Sequence, residues 1–197
     1  MTSSKIWWSA TAVFILLLSI WAFWGIYISR VEQPKYAVVS QDGAIEVRAY
    51  QPMMVAEVLV EGPQRMAIRQ GFRVLANYIF GGNQPQKKVS MTAPVQQQET
   101  KQGWYVRFVM PVSYTMVTLP KPNDPQIQLR AIPQSQYVVI RFSGTASPDQ
   151  LQQQTQKLQG YVQKHALKTK GLRTYAFYDP PWTLPFLRRN EIMLALI

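Results

Sequence analysis

Residues 6–28 (IWWSATAVFILLLSIWAFWGIYI) run without a charged side chain, and from residue 31 onward the pattern changes to short alternating segments. About 23 apolar residues are enough to cross a bilayer as a helix. Trp7 and Trp8 mark one end and Trp24 and Tyr27 the other, the positions that amphipathic rings favour at lipid–water interfaces. A cleaved signal peptide would have a shorter apolar region ending in a small-x-small site. Ile26, Tyr27, Ile28 and Arg30 offer none, so the run reads as one uncleaved transmembrane anchor within residues 1–30. Residues 31–44 read as a linker, with Pro34 and an Asp42-Gly43 turn.

Ile45-Glu46-Val47-Arg48-Ala49-Tyr50 alternates as a half-buried strand does, and Pro52 breaks it. Residues 54–61 predict a second strand, stopped by Gly62-Pro63. Ile68, Phe72, Leu75 and Ile79 recur at helical spacing and predict one apolar stripe, which Gly81-Gly82-Asn83 closes. The same order then returns. Ile127-Gln128-Leu129-Arg130-Ala131 repeats the 45–49 pattern, with Gly144 in the place of Gly62. A strand over 137–142 leads to a second helix, with Ser147 as N-cap, Pro148 and Asp149 in the first turn, and Leu151, Leu158 and Val162 on its inner face; Gly171 is expected to end it. Closing strands are expected over 88–95 and 104–110 in the first copy, and over 172–178 and 190–196 in the second.

The expected class is therefore α+β. Two tandem strand–strand–helix–strand–strand repeats, about 45–110 and 127–197, form a distorted antiparallel barrel or curved sheet flanked by two helices. A groove between the repeats is a natural place for a ligand.

Charge and chemistry narrow the function classes. The 197 residues carry 21 Lys and Arg against 10 Asp and Glu, a net +11 that favours anionic partners. The positive charges are scattered and form no nucleic-acid motif, so no nucleic-acid partner is expected. The chain lacks cysteine, which excludes disulfides, thiolate metal sites and Cys nucleophiles. There is one histidine, His165, and no GxSxG, HExxH, P-loop or GxGxxG motif. No catalytic residues and no metal site are expected, and His165, near a helix end, is a poor candidate for an axial ligand. Dispersed carboxylates such as Glu57 and Glu61, four apart on one strand face, are explained equally by an exposed strand.

Three features bear on a ligand. Met53, Met54, Met66, Met91, Met110 and Met116, with Phe72, Tyr78, Phe80 and Trp104, suit a planar apolar ligand as well as an ordinary core. Arg65, Arg69 and Arg73 repeat every four residues, forming an outward row that could meet ligand carboxylates or simply face water. The segment Tyr178-Asp179-Pro180-Pro181-Trp182-Thr183-Leu184-Pro185-Phe186 is a stiff proline-rich loop on which Trp182 could cap a pocket.

IEVRAY (residues 45–50), YIFGG (78–82), VSMTAPV (89–95) and the tail from Asp179 to Leu194, with its PPW, LPF and RRNE elements, resemble the SOUL haem-binding protein family. The resemblance spans about residues 36–197. It implies a duplicated unit forming a distorted barrel, and non-covalent binding of haem or a related tetrapyrrole through an apolar surface with basic residues near the propionates. Arg69 and Met91 fall in the stretch it associates with the ligand. The binding set is accordingly Arg65, Arg69, Phe72, Arg73, Tyr78, Met91 and Trp182. Some family members are thought to use an N-terminal histidine, which this chain lacks. The competing reading is an effector-binding or envelope interaction domain for another small amphiphile. The expected location is a bacterial inner membrane, spanned once, with the domain on the periplasmic side.

Overall fold

The computed structural model describes residues 31–197; the expected anchor lies outside the described residues. Among the described residues no helix is long and apolar enough to cross a membrane. The chain forms β1 (Tyr36–Asp42), β2 (Ile45–Tyr50), β3 (Met53–Val60), α1 (Gln64–Ile79), β4 (Val95–Thr100), β5 (Gly103–Val109), β6 (Gln128–Ile132), β7 (Ser135–Phe142), α2 (Pro148–Lys164), β8 (Thr169–Phe177) and β9 (Asn190–Leu196). A 3-10 turn, Pro185–Leu187, lies in the last connection.

The nine strands make one antiparallel sheet in the order β1-β2-β7-β9-β8-β4-β5-β3-β6. Interchanging the two repeats reverses this order from β2 to β6 and leaves it otherwise unchanged. A pseudo-twofold axis therefore passes between β4 and β8, where Val95 pairs with Phe177 and Gln98 with Thr174. The repeats exchange their first strands: β2 pairs with β7 of the second copy, and β6 with β3 of the first. The sheet is not closed, since β1 and β6 remain as edges, so the expected barrel is replaced by an open sheet.

Strand alternation gives the sheet two unlike faces. One carries Val58, Val106 and Phe108 beneath α1, and Val138, Ile140, Tyr175 and Ile192 beneath α2. The other is partly polar. Its apolar patch of Tyr50, Val139, Ala176 and Met193 sits beside buried Arg48, Glu57 and Glu191.

Four local expectations are corrected. The linker contains β1, because residues 36–42 find a partner in β2. The 88–95 segment is not a strand: Lys87 and Val89 bond backward to Asn83 and Ile79, and β4 begins only at Val95. The buried side of α1 is Ala67, Gly71, Leu75, Tyr78 and Ile79, rotated from the predicted stripe, so that Phe72 is left 42 % exposed. The rotation follows from Gly71, where a Cβ would sit 2.6 Å from Val106 Cγ2; only a glycine lets the helix come this close to β5. Finally, α2 ends at Lys164 with His165 as its C-cap, whereas Gly171 (φ +71°) lies at an irregularity within β8. The predicted Ser147 cap is present, its hydroxyl accepting from Gln150 N.

Candidate functional site

The sequence motifs meet in the interior. Arg48 of IEVRAY and Glu191 of RRNE, far apart in the chain, form a bidentate pair: Arg48 Nη1 donates to Oε2 at 2.9 Å and Nη2 to Oε1 at 3.1 Å. Arg48 Nε donates to Glu46 at 2.6 Å and Arg189 Nε to Glu191 at 2.8 Å, while the Tyr178 hydroxyl donates to Glu191 at 3.0 Å. The Arg189 guanidinium stacks 3.8 Å from the Tyr178 ring centre, and that of Arg48 lies 4.4 Å from the Tyr36 ring. Burial disfavours the Arg48 charge, but Glu191 outweighs it and holds the pKa above the ordinary arginine value. Burial, then Glu191, pushes Tyr178 far above the usual tyrosine range and Tyr50 up to about 12. Both hydroxyls therefore stay neutral and act as bridges. This cluster ties β2 to β9.

VSMTAPV is also structural. Thr92 donates its hydroxyl to Val109 O, Ala93 N bonds Glu32 O, and the Ala93–Pro94 bond is cis. In the YIFGG turn, buried Asn83 donates to Tyr78 O and Lys87 O and accepts from Lys87 N. The signatures thus encode strand ties and turns.

The expected site residues divide. Arg65, Arg69 and Arg73 stand exposed on the outer side of α1, and none pairs with a carboxylate among the described residues. Phe72 lies on the same helix, its ring 5.3 Å from that of Phe108 and edge-on to it. Tyr78 belongs to the core instead: it is fully buried, and its hydroxyl donates to Pro120 O at 2.8 Å. Met91 packs half-buried against the core beneath α1. Trp182 is exposed on the β8–β9 loop, carried by the second half. His165 is exposed and stacks on Tyr161, with ring centres 4.2 Å apart. The structure therefore gathers Arg65, Arg69, Phe72 and Arg73 toward the outside of α1, turns Tyr78 of the same helix into the core, and leaves Met91 and Trp182 on other segments.

Two clefts open on the polar face and its margin. One, of about 80 Å³, lies between residues 32–35, Met53, Met54, Thr92 and Val109–Tyr114. The other, of about 30 Å³, is lined by Met53, Gln96, Arg107, Ile132, Tyr137, Thr174 and Met193, from both repeats. Pockets for drug-sized ligands measure roughly 300 Å³ or more, so neither cleft is a ready-made tetrapyrrole pocket. Beside the second cleft, Glu57 is buried between Arg107, which donates to Oε2, and Arg130, whose Nε lies 2.7 Å from Oε1 without pointing at it. That oxygen is left without a hydrogen bond. An exposed strand position is one of the two readings alternation allows for Glu57, and the structure buries it instead; a single acid within MMVAEVLV is the available signal.

The α1 flank fits the parts of a tetrapyrrole unequally. Phe72 offers a flat apolar face, and the three arginines offer cations with the fork geometry that carboxylates accept. No imidazole lies on this helix, so the residues present fit the ring and its propionates and provide no histidine ligand for iron.

The fold defines a duplicated α+β domain found in other proteins. The chain resembles the crystal structure of the EcmrR C-terminal domain at a TM-score of 0.60 and 15 % identity, covering 82 % of this chain and 98 % of that one. It resembles a hydrolase from Listeria innocua at a TM-score of 0.54 and 11 % identity, covering 81 % and 94 %. At these identities the likeness is one of fold alone. The family "SOUL heme-binding protein" matches residues 31–195, and the chain belongs to it. Heme-binding protein 2 of Mus musculus is 25 % identical over 170 residues, covering 78 % of each chain.

Proposed function

We propose that the protein is a non-catalytic binder of haem or a related tetrapyrrole, anchored by residues 6–28 to a bacterial inner membrane with its domain in the periplasm. Membership of the SOUL family over residues 31–195 carries the ligand class. Arg65, Arg69 and Arg73, which pair with no carboxylate among the described residues, stand with half-exposed Phe72 on α1 and support that helix as the surface that receives it. The ring packs on Phe72 and the propionates meet the arginine row, without His165. Titration of the full chain in detergent with haem, followed by Soret absorbance, tests this. Wild type and His165→Ala should give the same saturable shift, and Arg69→Glu/Arg73→Glu should weaken it by about tenfold or more, on the order of 1.5–3 kcal/mol for charged hydrogen bonds. An unsaturable wild-type shift refutes the ligand; a shift lost in His165→Ala refutes the surface.

A second reading rests on Glu57. It holds Arg107, which lines a cleft formed by both repeats, and that cleft suits a small ligand with an acceptor group, as an effector-binding domain would use. Glu57→Gln would then abolish binding of that ligand while leaving haem binding unchanged.

A further inference from the structure

The two ends of the sheet should be alike under the pseudo-twofold axis, and they are not. Phe142, Asn190, Phe177, Val95 and Phe108 form one row across β7, β9, β8, β4 and β5. The long connections 80–94, 110–127 and 178–189 leave this end. At the opposite end the corresponding links are the turn 101–102 and the short segment 165–168, where Lys101, Gln102, Lys164 and Lys168 are exposed.

The long loops carry exposed apolar side chains: Phe80, Val112, Val117 (93 % exposed), Trp182 (72 %), Phe186 and Leu187. The last three are held outward on a stiff support. Arg188 donates to Thr183 O at 2.7 Å and also to Pro181 O, and Gly144 N bonds Pro185 O at 2.8 Å. Such residues, Trp above all, sit stably at a lipid interface.

Lysines flank both ends, and the chain path selects this one. Lys35, Lys87, Lys88 and Lys121 are exposed around the same loops. The nearby carboxylates are engaged: Glu32 accepts from Val112 N, Asp124 from Gln126 N and Asp179 from Arg189 N. A rim of lysines favours anionic headgroups. The chain also enters the domain here, since Glu32 is bonded to Ala93 N as well as to Val112 N. The uncharged run 6–28 ends only a few residues before it.

We propose that this end of the domain is a bilayer-docking surface, with the loop residues seated among the headgroups of an anionic membrane. The inference rests on the anchored reading above and adds a fixed orientation: the domain lies down on the membrane, with the 101–102 turn pointing away.

The absence of cysteine makes the test direct. In the full chain, Val117→Cys, Phe186→Cys and the control Gln102→Cys each carry one nitroxide label, in vesicles of phosphatidylcholine with phosphatidylglycerol. Collision with oxygen, which concentrates in lipid, is compared with collision with a water-soluble nickel chelate. Labels at 117 and 186 should favour oxygen several-fold over the label at 102. Equal preference in phosphatidylcholine alone overturns the part given to the lysines. A chain that floats with the vesicles but shows 117 and 186 as water-exposed as 102 overturns docking and leaves the anchor standing. A chain that does not float overturns both.

Discussion

Glu191→Gln is the sharpest probe of what holds the two repeats together. The carboxylate is 0 % exposed and receives Arg48 Nη1 and the Tyr178 hydroxyl on Oε2, and Arg48 Nη2 and Arg189 Nε on Oε1. An amide of nearly the same shape creates no cavity. It does replace one acceptor oxygen by an NH2 group facing donors, and it leaves two guanidiniums with Glu46 as their remaining acidic partner in the cluster. Removing one partner from a buried pair costs about 3–5 kcal/mol, mainly through the uncompensated charge. Domains have roughly 5–15 kcal/mol to lose. With a urea dependence near 2 kcal/mol/M, the unfolding midpoint should fall by about 2 M, read by circular dichroism on the full chain in detergent. Glu46→Gln is the internal control. Its side chain is 16 % exposed and bonds Arg48 through Nε, so its loss should cost only about 1 kcal/mol. A Glu191→Gln midpoint within about 0.5 M of wild type, or a Glu46→Gln loss of equal size, would refute the assignment of the tie to Glu191.

Alkali should loosen the fold before it reaches the arginines. Burial pushes Tyr50 and Tyr78 each from the ordinary value near 10 up to about 12. The folded state then holds its phenol protons more tightly than the unfolded chain, so stability present below pH 10 declines as pH rises toward 12, by up to roughly 2.7 kcal/mol per tyrosine. Melting temperature against pH, with phenolate absorbance alongside, checks this; Tyr50→Phe should flatten the decline, and ionisation of both residues near pH 10 in folded protein would contradict it. Gly71→Ala should destabilise by about 1–3 kcal/mol through the contact with Val106, despite alanine's better helix propensity; a raised melting temperature would show that α1 can shift away freely. Asn83→Ala removes three hydrogen bonds from a buried turn and should cost about 2–3 kcal/mol in the same melts. An unchanged melt would mean that water replaces the side chain.

The duplicated order of strands and helices was legible because periodicity and turn residues are local. Ile45–Tyr50 and its copy at 127–131 announced themselves by alternation, and Ser147 by its cap chemistry. The partners of these strands were not legible, since the strand exchange places Ile45 beside Ile140 and Met53 beside Ile132. For the same reason Arg48 could be read as one more surface cation although its acid, Glu191, lies on a strand at the far end of the chain. The α1 stripe was misplaced because helical spacing ranks large apolar residues first, whereas close packing on β5 selected Ala67 and Gly71. The arginine row was read correctly as outward, because charge at four-residue spacing leaves little choice. The burial of Tyr78 was not legible, because aromatic content does not tell a pocket wall from the core.

The exchange of first strands has a consequence for how the domain can be divided. Cut between the repeats, each half would lose the partner that its opening strand finds in the other half: β7 for β2, which would keep only β1, and β3 for β6, which would keep none. Neither could satisfy its own backbone, and each would present an edge suited to the other piece, or to a second copy of itself. A chain nicked within 111–126 should thus remain one particle, and the two fragments made separately should find each other on mixing. Two copies of one ancestral half, each lending its first strand to its twin, would already have built this sheet as a dimer.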